Sequence, residues 1–432
     1  MKKKVAIVIM SVDGQVSLET GVGVVVSNII EHYNEIILGC HLPPFVEVSL
    51  VCITPKLLEH AEGFRKEMKE KTLLSCKKNN GRFIEVDTLS SGDSWHSIYH
   101  EGDDYSQIEQ WNAISKNSAY CIENSLDSYD SIIALGHDTP YAKVGGFIKD
   151  MKKCKFIWIP HILAAPLPNF VGSVQHQFEL DGISKILYRN DFIGFIGKYI
   201  HECLAELYEI KDNNLCPMTN GIAEYSYQYM FDDEERNKIL TEYDIPKERK
   251  LIFYSGRYNP IKGVDILLPA LIQFLESSFG EKYHLVLLMP RGTLRDSFRV
   301  KVEPFLKKLE GKGTIVMDFN IKLPISVLKS NNLDTIIFSS RHESEPLTAM
   351  EAMLFSKPSV KIVYSPIKAF KYIFDNQPNT FEIADMTVDS FYKALINSAI
   401  ADTSLLPRTS PPRFIETYIS NLSELFRKVH IL

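Results

Sequence analysis

The feature that most constrains the fold is a regular alternation of short apolar runs and helix-length stretches in the second half of the chain. Strands are predicted at 251–256, 283–289, 314–318, 334–338 and Ser359–Val363, and helices at 263–277, 294–309, 323–331 and 346–356. Each strand is separated from the next by a stretch long enough for a crossover helix, so neighbouring strands should run parallel. The alternation predicts a doubly wound α/β domain.

The first half of the chain carries the same signals. Val5–Met10 is a continuous apolar run, which is typical of a central parallel strand buried on both faces. Further strands are predicted at Val46–Ile53, Arg82–Val86, from Ser131 and from Phe156, with helices between them. A chain of 432 residues is too long for one ordinary core, so we predict two α/β domains.

Composition excludes several classes of protein. A formal net charge of −6 argues against general nucleic-acid binding, which needs a basic surface. Seven scattered cysteines without a Cys-x-x-Cys pair indicate reduced thiols in a cytoplasmic protein. The apolar run after Met1-Lys-Lys-Lys is too short for a signal peptide, and no segment approaches the roughly 20 apolar residues of a membrane span. The sequence predicts a soluble protein.

Residues 339–353, Ser-Ser-Arg-His-Glu-Ser-Glu-Pro-Leu-Thr-Ala-Met-Glu-Ala-Met, form a polar loop followed by a helix. Pro346 is favoured at the start of a helix, where its missing N–H is no loss. Such a helix directs free backbone N–H groups and the positive end of its dipole at the loop, which suits an anion. Glu343 and Glu351 have seven residues between them, so they should face different parts of one ligand.

A second strand, loop and helix occupies residues 251–271. Its loop contains Gly256-Arg257, then Lys262-Gly263 and Asp265, so two cations lie five positions apart. Together, the two stretches resemble the retaining, GT-B-fold nucleotide-sugar glycosyltransferases of family 4. That family carries a Gly-Arg-(x)4-Lys-Gly-x-Asp loop and a Glu-(x)7-Glu loop and helix in its C-terminal domain.

The resemblance implies a GT-B fold with two doubly wound, Rossmann-like domains facing a central cleft. The N-terminal acceptor-binding domain would comprise residues 1–217, and the C-terminal donor-binding domain residues 218–411. A C-terminal helix within 412–432 would cross back to the first domain. Cys216-Pro-Met-Thr-Asn-Gly-Ile resembles the family's interdomain signature, with Ala223 in place of its Asp.

Three sites in the first half fit a ligand at the carboxyl edge of its sheet. Gly21-Val22-Gly23 follows the first strand but does not complete the dinucleotide fingerprint, because Val26 stands where the third glycine belongs. His137-Asp138 and His161 each follow a strand. By resemblance, the glycines line the donor site, His161 lies near the donor sugar and phosphate, and His137-Asp138 lies near the acceptor.

Nucleotide-sugar transfer requires stabilisation of a departing diphosphate. No Asp-x-Asp motif or metal-ligand spacing is present, so Arg257 and Lys262 could supply the positive charge, together with backbone N–H groups. The resemblance assigns Glu351 to the ribose hydroxyl groups and Glu343 to the donor sugar, with retention of configuration and the leaving phosphate accepting the acceptor proton. The predicted catalytic residues are Glu343, Arg257, Lys262 and His161. The predicted donor-binding residues are Gly21, Gly23, Gly256, Ser344, Pro346, Leu347, Thr348 and Glu351. No metal and no cofactor beside the nucleotide sugar are expected.

Other functions remain open at this point. A sugar-nucleotide epimerase, a phosphorylase or a non-catalytic nucleotide-sugar-binding protein could share the fold, whereas the incomplete fingerprint disfavours an NAD-dependent oxidoreductase. UDP-hexose or UDP-N-acetylhexosamine is the default donor of the family, and the acceptor is a glycan or a small molecule. Residues 89–126, with Trp111, either select the acceptor or form a surface insertion without a role. Lysines near the start and between Lys149 and Lys155 would suit peripheral membrane contact.

Overall fold

The structure is a computed structural model that describes residues 2–89, 92–98, 105–149, 152–226, 229–290, 296–318 and 320–431. The chain divides into two compact units. The first consists of Met1–Ala223 with Pro412–Leu432, and the second of Glu224–Pro411. Six residues thus separate the boundary in the structure from the one placed after residue 217 by the sequence.

The first unit is built on a seven-stranded sheet in which all paired strands are parallel. Its strands are β1 (Lys3–Met10), β2 (Val46–Pro55), β3 (Arg82–Val86), β4 (Ser131–His137), β5 (Cys154–Ile159), β6 (Phe192–Phe195) and β7 (Leu215–Pro217). Their order is β3-β2-β1-β4-β5-β6-β7. The order reverses between β1 and β4, which is where open α/β sheets place their ligands.

The helices of the first unit are α1 (Gly21–Glu31), α2 (Tyr33–Gly39), α3 (Lys66–Lys78), α4 (Tyr105–Ser125), α5 (Val144–Phe147), α6 (Val174–Tyr188) and α7 (Lys198–Glu206). The last helix of the chain, which spans Phe414–Lys428, also belongs to this unit. It packs against α2 and β7, and its residues Phe414, Tyr418 and Phe426 are buried. The predicted return of the C-terminal helix is therefore confirmed.

The second unit is built on a six-stranded, fully parallel sheet. Its strands are β8 (Lys250–Ser255), β9 (Tyr283–Leu288), β10 (Gly313–Val316), β11 (Leu333–Phe338), β12 (Lys361–Tyr364) and β13 (Thr380–Glu382). The order β10-β9-β8-β11-β12-β13 reverses between β8 and β11. These are the two strands that the sequence placed before the cationic loop and before the acidic loop.

The helices of the second unit are α8 (Asp233–Glu242), α9 (Val264–Glu276), α10 (Asp296–Leu309), α11 (Leu323–Leu328), α12 (Leu347–Phe355), α13 (Lys368–Phe374) and α14 (Val388–Ile400). The helix Phe414–Lys428 is then α15. The predicted fold class, two parallel Rossmann-like sheets, is confirmed. The elements β13, α13 and α14 have no counterpart among the elements predicted from the sequence.

The insertion-like region 89–126 is described only in part, because residues 90, 91 and 99–104 of the predicted loop lie outside the described residues. Trp111 on α4 is 2% exposed, and its indole N–H donates to the carbonyl group of Ile98 at 3.1 Å. Its ring packs edge-on against Phe178 with centroids 5.4 Å apart. Trp111 thus anchors this region to the core of the first unit, and its ring is not available to an acceptor.

The position of α15 gives a stability prediction. Replacing the fully buried Phe426 by Ala should destabilise the first unit by about 3–5 kcal/mol, because the ring leaves a cavity that the surrounding core cannot fill. Denaturant unfolding monitored by circular dichroism would measure the loss. Leu405→Ala is the matched control, since that side chain is 81% exposed and its removal should change stability little. Equal effects of the two substitutions would contradict the packing of α15.

Candidate active site

Two loops of the second unit meet at the reversal of strand order. One joins β8 to α9 and contains Arg257 and Lys262, and the other joins β11 to α12 and contains Glu343. The ammonium group of Lys262 lies 2.5 Å from Oε1 of Glu343, and the hydroxyl group of Ser340 donates to the same oxygen at 2.5 Å. The structure therefore brings together two residues that lie 81 positions apart in the chain.

A second ion pair holds the same loops together. The guanidinium group of Arg341 donates to both carboxylate oxygens of Asp265, at 2.7 and 3.0 Å, and also to the carbonyl group of Pro260 at 2.5 Å. Lys301 adds a further contact to Asp265 at 2.7 Å. Burial tends to raise the pKa of Asp265, but these cations outweigh burial and hold the pKa below its usual value. The sequence analysis assigned no role to Arg341, and nothing in the spacing identifies its partner.

The backbones of the two loops are also in direct contact. The N–H of Arg341 donates to the carbonyl group of Ile261 at 2.7 Å. The hydroxyl group of Ser339 donates to the backbone carbonyl group of Lys262 at 2.7 Å. Gly263 has a φ of +67°, and a Cβ at this position would lie 2.1 Å from the carbonyl oxygen of Ser339. A side chain at 263 would therefore force the loops apart.

The acidic loop leads into α12, whose N-terminal end lacks a side-chain cap among the described residues. Pro346 is the N-cap residue, with the helix starting at Leu347, one position later than predicted. Thr348 is exposed, whereas Ser344 and Leu347 are half-buried. The free N–H groups of this first turn are the feature that suits an anion.

Glu351 lies at a small pocket of about 10 Å³ in the second unit, which has room for about one water molecule. The pocket is lined by Phe253, Ser255, Pro324, Leu328, Ile336, Phe338, Thr348 and Glu351. Burial raises the pKa of Glu351 to about 7, although a hydrogen bond from the hydroxyl group of Tyr229 at 2.7 Å lowers it. Tyr229 was not predicted as a site residue, because it lies 122 positions away from its partner and outside both motifs.

Two predicted residues of the cationic loop are less closely integrated. Arg257 is exposed, and its side chain makes no hydrogen bond or ion pair with the described part of the chain. The preceding Gly256 lies against Tyr254, whose hydroxyl oxygen would be 2.6 Å from a Cβ at position 256. Arg257 is therefore a cation at the site's edge rather than a member of the Lys262–Glu343 cluster.

In the first unit, the structure brings His137 and His161 together at the ends of β4 and β5. Nδ1 of His137 lies 3.0 Å from Nε2 of His161, and the rings are stacked with centroids 5.3 Å apart. Burial lowers the pKa of both, that of His161 to about 3, so both rings are neutral near pH 7. One of these two nitrogens therefore carries a proton and donates it to the other in a hydrogen bond.

The surroundings indicate where that proton resides. Nε2 of His137 is buried and has no hydrogen-bond partner among the described residues. A buried N–H without an acceptor costs more than a bare nitrogen, so His137 carries its proton on Nδ1 and donates to His161. Nδ1 of His161 is then protonated and is the group that can donate to a ligand. His137 is fully buried beside His161, and its predicted acceptor contact stays a prediction.

Asp138 has a φ of +72°, which is uncommon for a residue other than glycine. Its N–H donates to the carbonyl group of Ile159 at 2.8 Å, and its own carbonyl group accepts from the indole of Trp158 at 3.0 Å. The side chain is 6% exposed. The turn after β4 is thus fixed by β5, and the predicted acceptor contact of Asp138 stays a prediction.

Gly21 and Gly23 lie in the first turn of α1, not in the loop before it. The carboxylate of Asp13 accepts the N–H groups of Gly14, Glu19 and Thr20, at 3.0, 3.0 and 2.8 Å. A Cβ on Gly23 would lie 2.4 Å from Oδ2 of Asp13. Gly23 is therefore required by the packing of an internal carboxylate, which the sequence analysis did not identify.

Among the described residues, no group of three His, Cys, Asp or Glu side chains is arranged to hold a metal ion. Within the same part of the chain, no helix combines the length and the apolar character that a membrane crossing would require.

Comparison with known proteins supports the fold. Residues 235–408, which cover most of the second unit, match the family model Glycosyl transferases group 1. No curated protein matches the chain. Among solved structures, sucrose-phosphate synthase from Thermosynechococcus elongatus superimposes with a TM-score of 0.67 at 13% identity, covering 99% of both chains.

Two further structures have the same fold. A glycosyltransferase from Rickettsia africae gives a TM-score of 0.62 at 14% identity, covering 99% of both chains. An E. coli protein described as trehalose-6-phosphate bound with UDP-2-fluoro glucose gives 0.62 at 13% identity, covering 99% of this chain and 96% of that one. The resemblance to GT-B glycosyltransferases is confirmed, and its assignment to family 4 stays a prediction.

Glu179, on α6, is a fully buried carboxyl group close to the His161 segment. It accepts hydrogen bonds from the N–H of Ala164 at 3.1 Å, from Gln175 at 2.8 Å and from the hydroxyl group of Tyr208. Burial raises its pKa to about 7 despite these hydrogen bonds. Ala164 is only three residues beyond His161, so Glu179 fixes the backbone that follows the histidine. The sequence offered no signal for this role.

The raised pKa gives a pH-dependent stability prediction. Stability associated with protonated Glu179 is complete below its unfolded pKa and is lost as pH rises through 7. From about pH 5 to about pH 8, the wild-type protein should therefore lose about 2–3 kcal/mol of unfolding free energy that Glu179→Gln retains. Urea unfolding at both pH values measures the difference. Glu206→Gln changes an exposed residue on α7, and its unfolding free energy should change with pH as in the wild type. If the unfolding free energy of Glu179→Gln fell with pH as much as that of the wild type, the burial argument would be contradicted.

Proposed function

We propose that this chain, whose residues 235–408 match the family model Glycosyl transferases group 1, moves a hexosyl or N-acetylhexosaminyl group from a UDP-sugar to a hydroxyl group. The acceptor is a glycan or a small molecule. Anomeric configuration is retained, and neither a metal ion nor another cofactor takes part. Residues 224–411 bind the donor, and residues 1–223 with 412–432 bind the acceptor.

The observation that carries the proposal is the 2.5 Å contact between Lys262 and Glu343. It places a cation and a carboxylate side by side at the strand-order reversal of the unit that matches the family. A donor sugar linked to a diphosphate has both complementary parts, since its hydroxyl groups can donate to Glu343 and its phosphate oxygens can accept from Lys262. In the ligand-free protein, each residue compensates the charge of the other.

The diphosphate gains negative charge as the bond to the sugar breaks. Lys262, the exposed Arg257 and the uncapped N-terminal turn of α12 can each stabilise that charge in this proposal. Arg257 offers a planar guanidinium group that binds phosphate in a bidentate manner, and Lys262 offers a mobile point charge. The leaving phosphate takes the acceptor proton, so no separate general base is required in this proposal.

The ribose of the nucleoside binds beside the pocket that contains Glu351, and the Glu351 carboxylate accepts hydrogen bonds from the ribose hydroxyl groups. In the other unit, Nδ1–H of His161 donates to the sugar or phosphate, and His137 holds that ring in its tautomer. UDP-hexose is the first donor to test, since a structure with the same fold contains UDP-2-fluoro glucose.

Thermal-shift titration tests the donor. UDP and UDP-hexose should raise the melting temperature, because a ligand at about 100 times its Kd stabilises the native state by about 2.7 kcal/mol. The shift should survive EDTA, and it should largely disappear in Arg257→Ala, whose exposed side chain contributes little to folding. Lys307→Ala removes an exposed cation from α10 and should leave the shift unchanged.

The outcomes of this titration separate the alternatives. A shift that appears only with added divalent cation would overturn metal independence but not donor binding. No shift with UDP, GDP, ADP or their sugars would overturn the transferase proposal. Binding without release of UDP in the presence of any glycan or small hydroxylated acceptor would favour a non-catalytic nucleotide-sugar-binding protein.

Glu343 and Lys262 should be distinguishable by calorimetry with UDP and UDP-hexose. Lys262→Ala should weaken both ligands at least about tenfold, because it removes a charge-assisted contact to phosphate. Glu343→Gln should weaken UDP-hexose by a similar factor and UDP much less, because its proposed partner is the sugar. Lys250→Ala serves as the control. It removes a 2.7 Å ion pair to Asp334 at the amino ends of β8 and β11, whereas the candidate site lies at their carboxyl ends. Equal losses for both ligands in Glu343→Gln would contradict a sugar contact.

A further inference from the structure

Tyr229 connects the start of the second unit to the helix that carries Glu351. It lies six residues after the unit boundary, is 5% exposed, and donates its hydroxyl proton to Oε1 of Glu351 at 2.7 Å. Its ring packs against Phe355, one turn further along α12, with centroids 4.9 Å apart. Tyr229 therefore follows the surface of α12 and ends on the Glu351 carboxyl group.

We propose that Tyr229 is a donor-positioning residue, which keeps the Glu351 carboxylate charged and turned toward the ribose hydroxyl groups of a nucleotide sugar. The inference rests on the proposed function, and it adds a residue that lies outside both sequence motifs. Tyr229 acts through Glu351, so its effect on binding should depend on the charge of that carboxyl group.

The pocket explains why Glu351 needs such a partner. Five of the eight residues that line it are apolar, and such surroundings disfavour a carboxylate. Burial raises the pKa of Glu351, and the Tyr229 hydrogen bond counteracts that rise. A protonated carboxyl group accepts hydrogen bonds weakly, whereas the carboxylate accepts strong ones from hydroxyl groups. The hydroxyl group of Tyr229 thus favours the form of Glu351 that binds a diol.

The geometry also sets the orientation of the carboxylate. Tyr229 occupies Oε1, and Oε2 has no hydrogen-bond partner among the described residues. Rotation about the last side-chain bond is restricted as long as Oε1 is held. Oε2 is then available to the pocket, whose lining includes Glu351 and Thr348.

Tyr229 is itself held in place by one cation, Lys329. Lys329, just after α11, donates to the carbonyl group of Tyr229 at 2.8 Å and lies over the rings of Phe231 and Phe355, at 4.9 and 5.2 Å. Arg236 and Asp233 on α8 act on the pKa of Lys329, the first lowering and the second raising it, while burial lowers it most. None of these charges is among the causes that shift the pKa of Glu351, which are burial and Tyr229.

The test is the pH dependence of UDP-glucose binding, measured by isothermal titration calorimetry from about pH 5.5 to about pH 9. UDP-glucose is the probe because its phosphate groups do not titrate in this range. Wild-type affinity should rise with pH through a midpoint near the Glu351 pKa of about 7. In Tyr229→Phe, the midpoint should move up by about one unit, which lowers affinity about fivefold at pH 7 and less than about twofold at pH 9.

Two further variants isolate the hydrogen bond. Tyr283→Phe removes a hydroxyl group that donates to another carboxylate of the same sheet, Asp334, at 3.1 Å, and it should keep the wild-type profile. Glu351→Gln should bind weakly with no midpoint near pH 7. Tyr229→Phe keeps the ring against Phe355, so it should fold, which its melting temperature checks.

The outcomes separate this inference from the proposed function. A uniform loss of affinity across the pH range in Tyr229→Phe indicates a merely structural role and overturns the inference, as does an unchanged profile. Wild-type binding without any midpoint overturns the inference and leaves the proposed donor site standing. No binding by the wild type, together with no binding of other nucleotide sugars, overturns both.

Discussion

The candidate active site depends on the bidentate ion pair between Arg341 and Asp265. This pair joins the two loops that follow β8 and β11, and both of its charges are compensated at once. The Lys262–Glu343 contact can form only when the loops are held at this separation. The Gly263 backbone permits the approach, since any side chain there would meet the carbonyl oxygen of Ser339. One ion pair and one glycine thus determine where the cation and the carboxylate lie.

The carboxyl groups around this site differ in what sets their charge. Asp265 is kept ionised by Arg341 and Lys301, which outweigh its burial, so it carries a fixed charge and serves the architecture. Glu351 has no cation among the influences on its pKa, only burial and one hydroxyl group, and its pKa of about 7 leaves both forms populated near neutral pH. A group of this kind responds to small changes in its surroundings. The structural carboxylate is therefore insensitive to pH, and the proposed ligand-binding one is sensitive.

The fold could be predicted from the sequence because strands joined by helix-length crossovers form parallel sheets. Lys262, Glu343 and Glu351 could be proposed as site residues because each lies on a loop or helix after a recognisable strand. It could not predict Arg341 with Asp265, Tyr229 with Glu351, or Glu179 with Ala164. These contacts join positions between 15 and 122 residues apart, and no periodicity reports them. The sequence also does not reveal why position 23 needs glycine. The reason is the side chain of Asp13, ten positions upstream, which leaves no room for a Cβ at position 23.

The contrast between α1 and α12 bears on which unit binds the diphosphate. At α1, the hydroxyl group of Thr20 caps the helix by accepting the N–H of Gly23, and the Asp13 carboxylate accepts the N–H groups of Glu19 and Thr20. A phosphate at Gly21 or Gly23 would lie beside the Asp13 carboxylate and would meet N–H groups that are already used. At α12, no described side chain caps the first turn, and Lys262 lies close by on the adjoining loop. The requirement for uncompensated donors therefore favours the second unit for the diphosphate of the proposed donor.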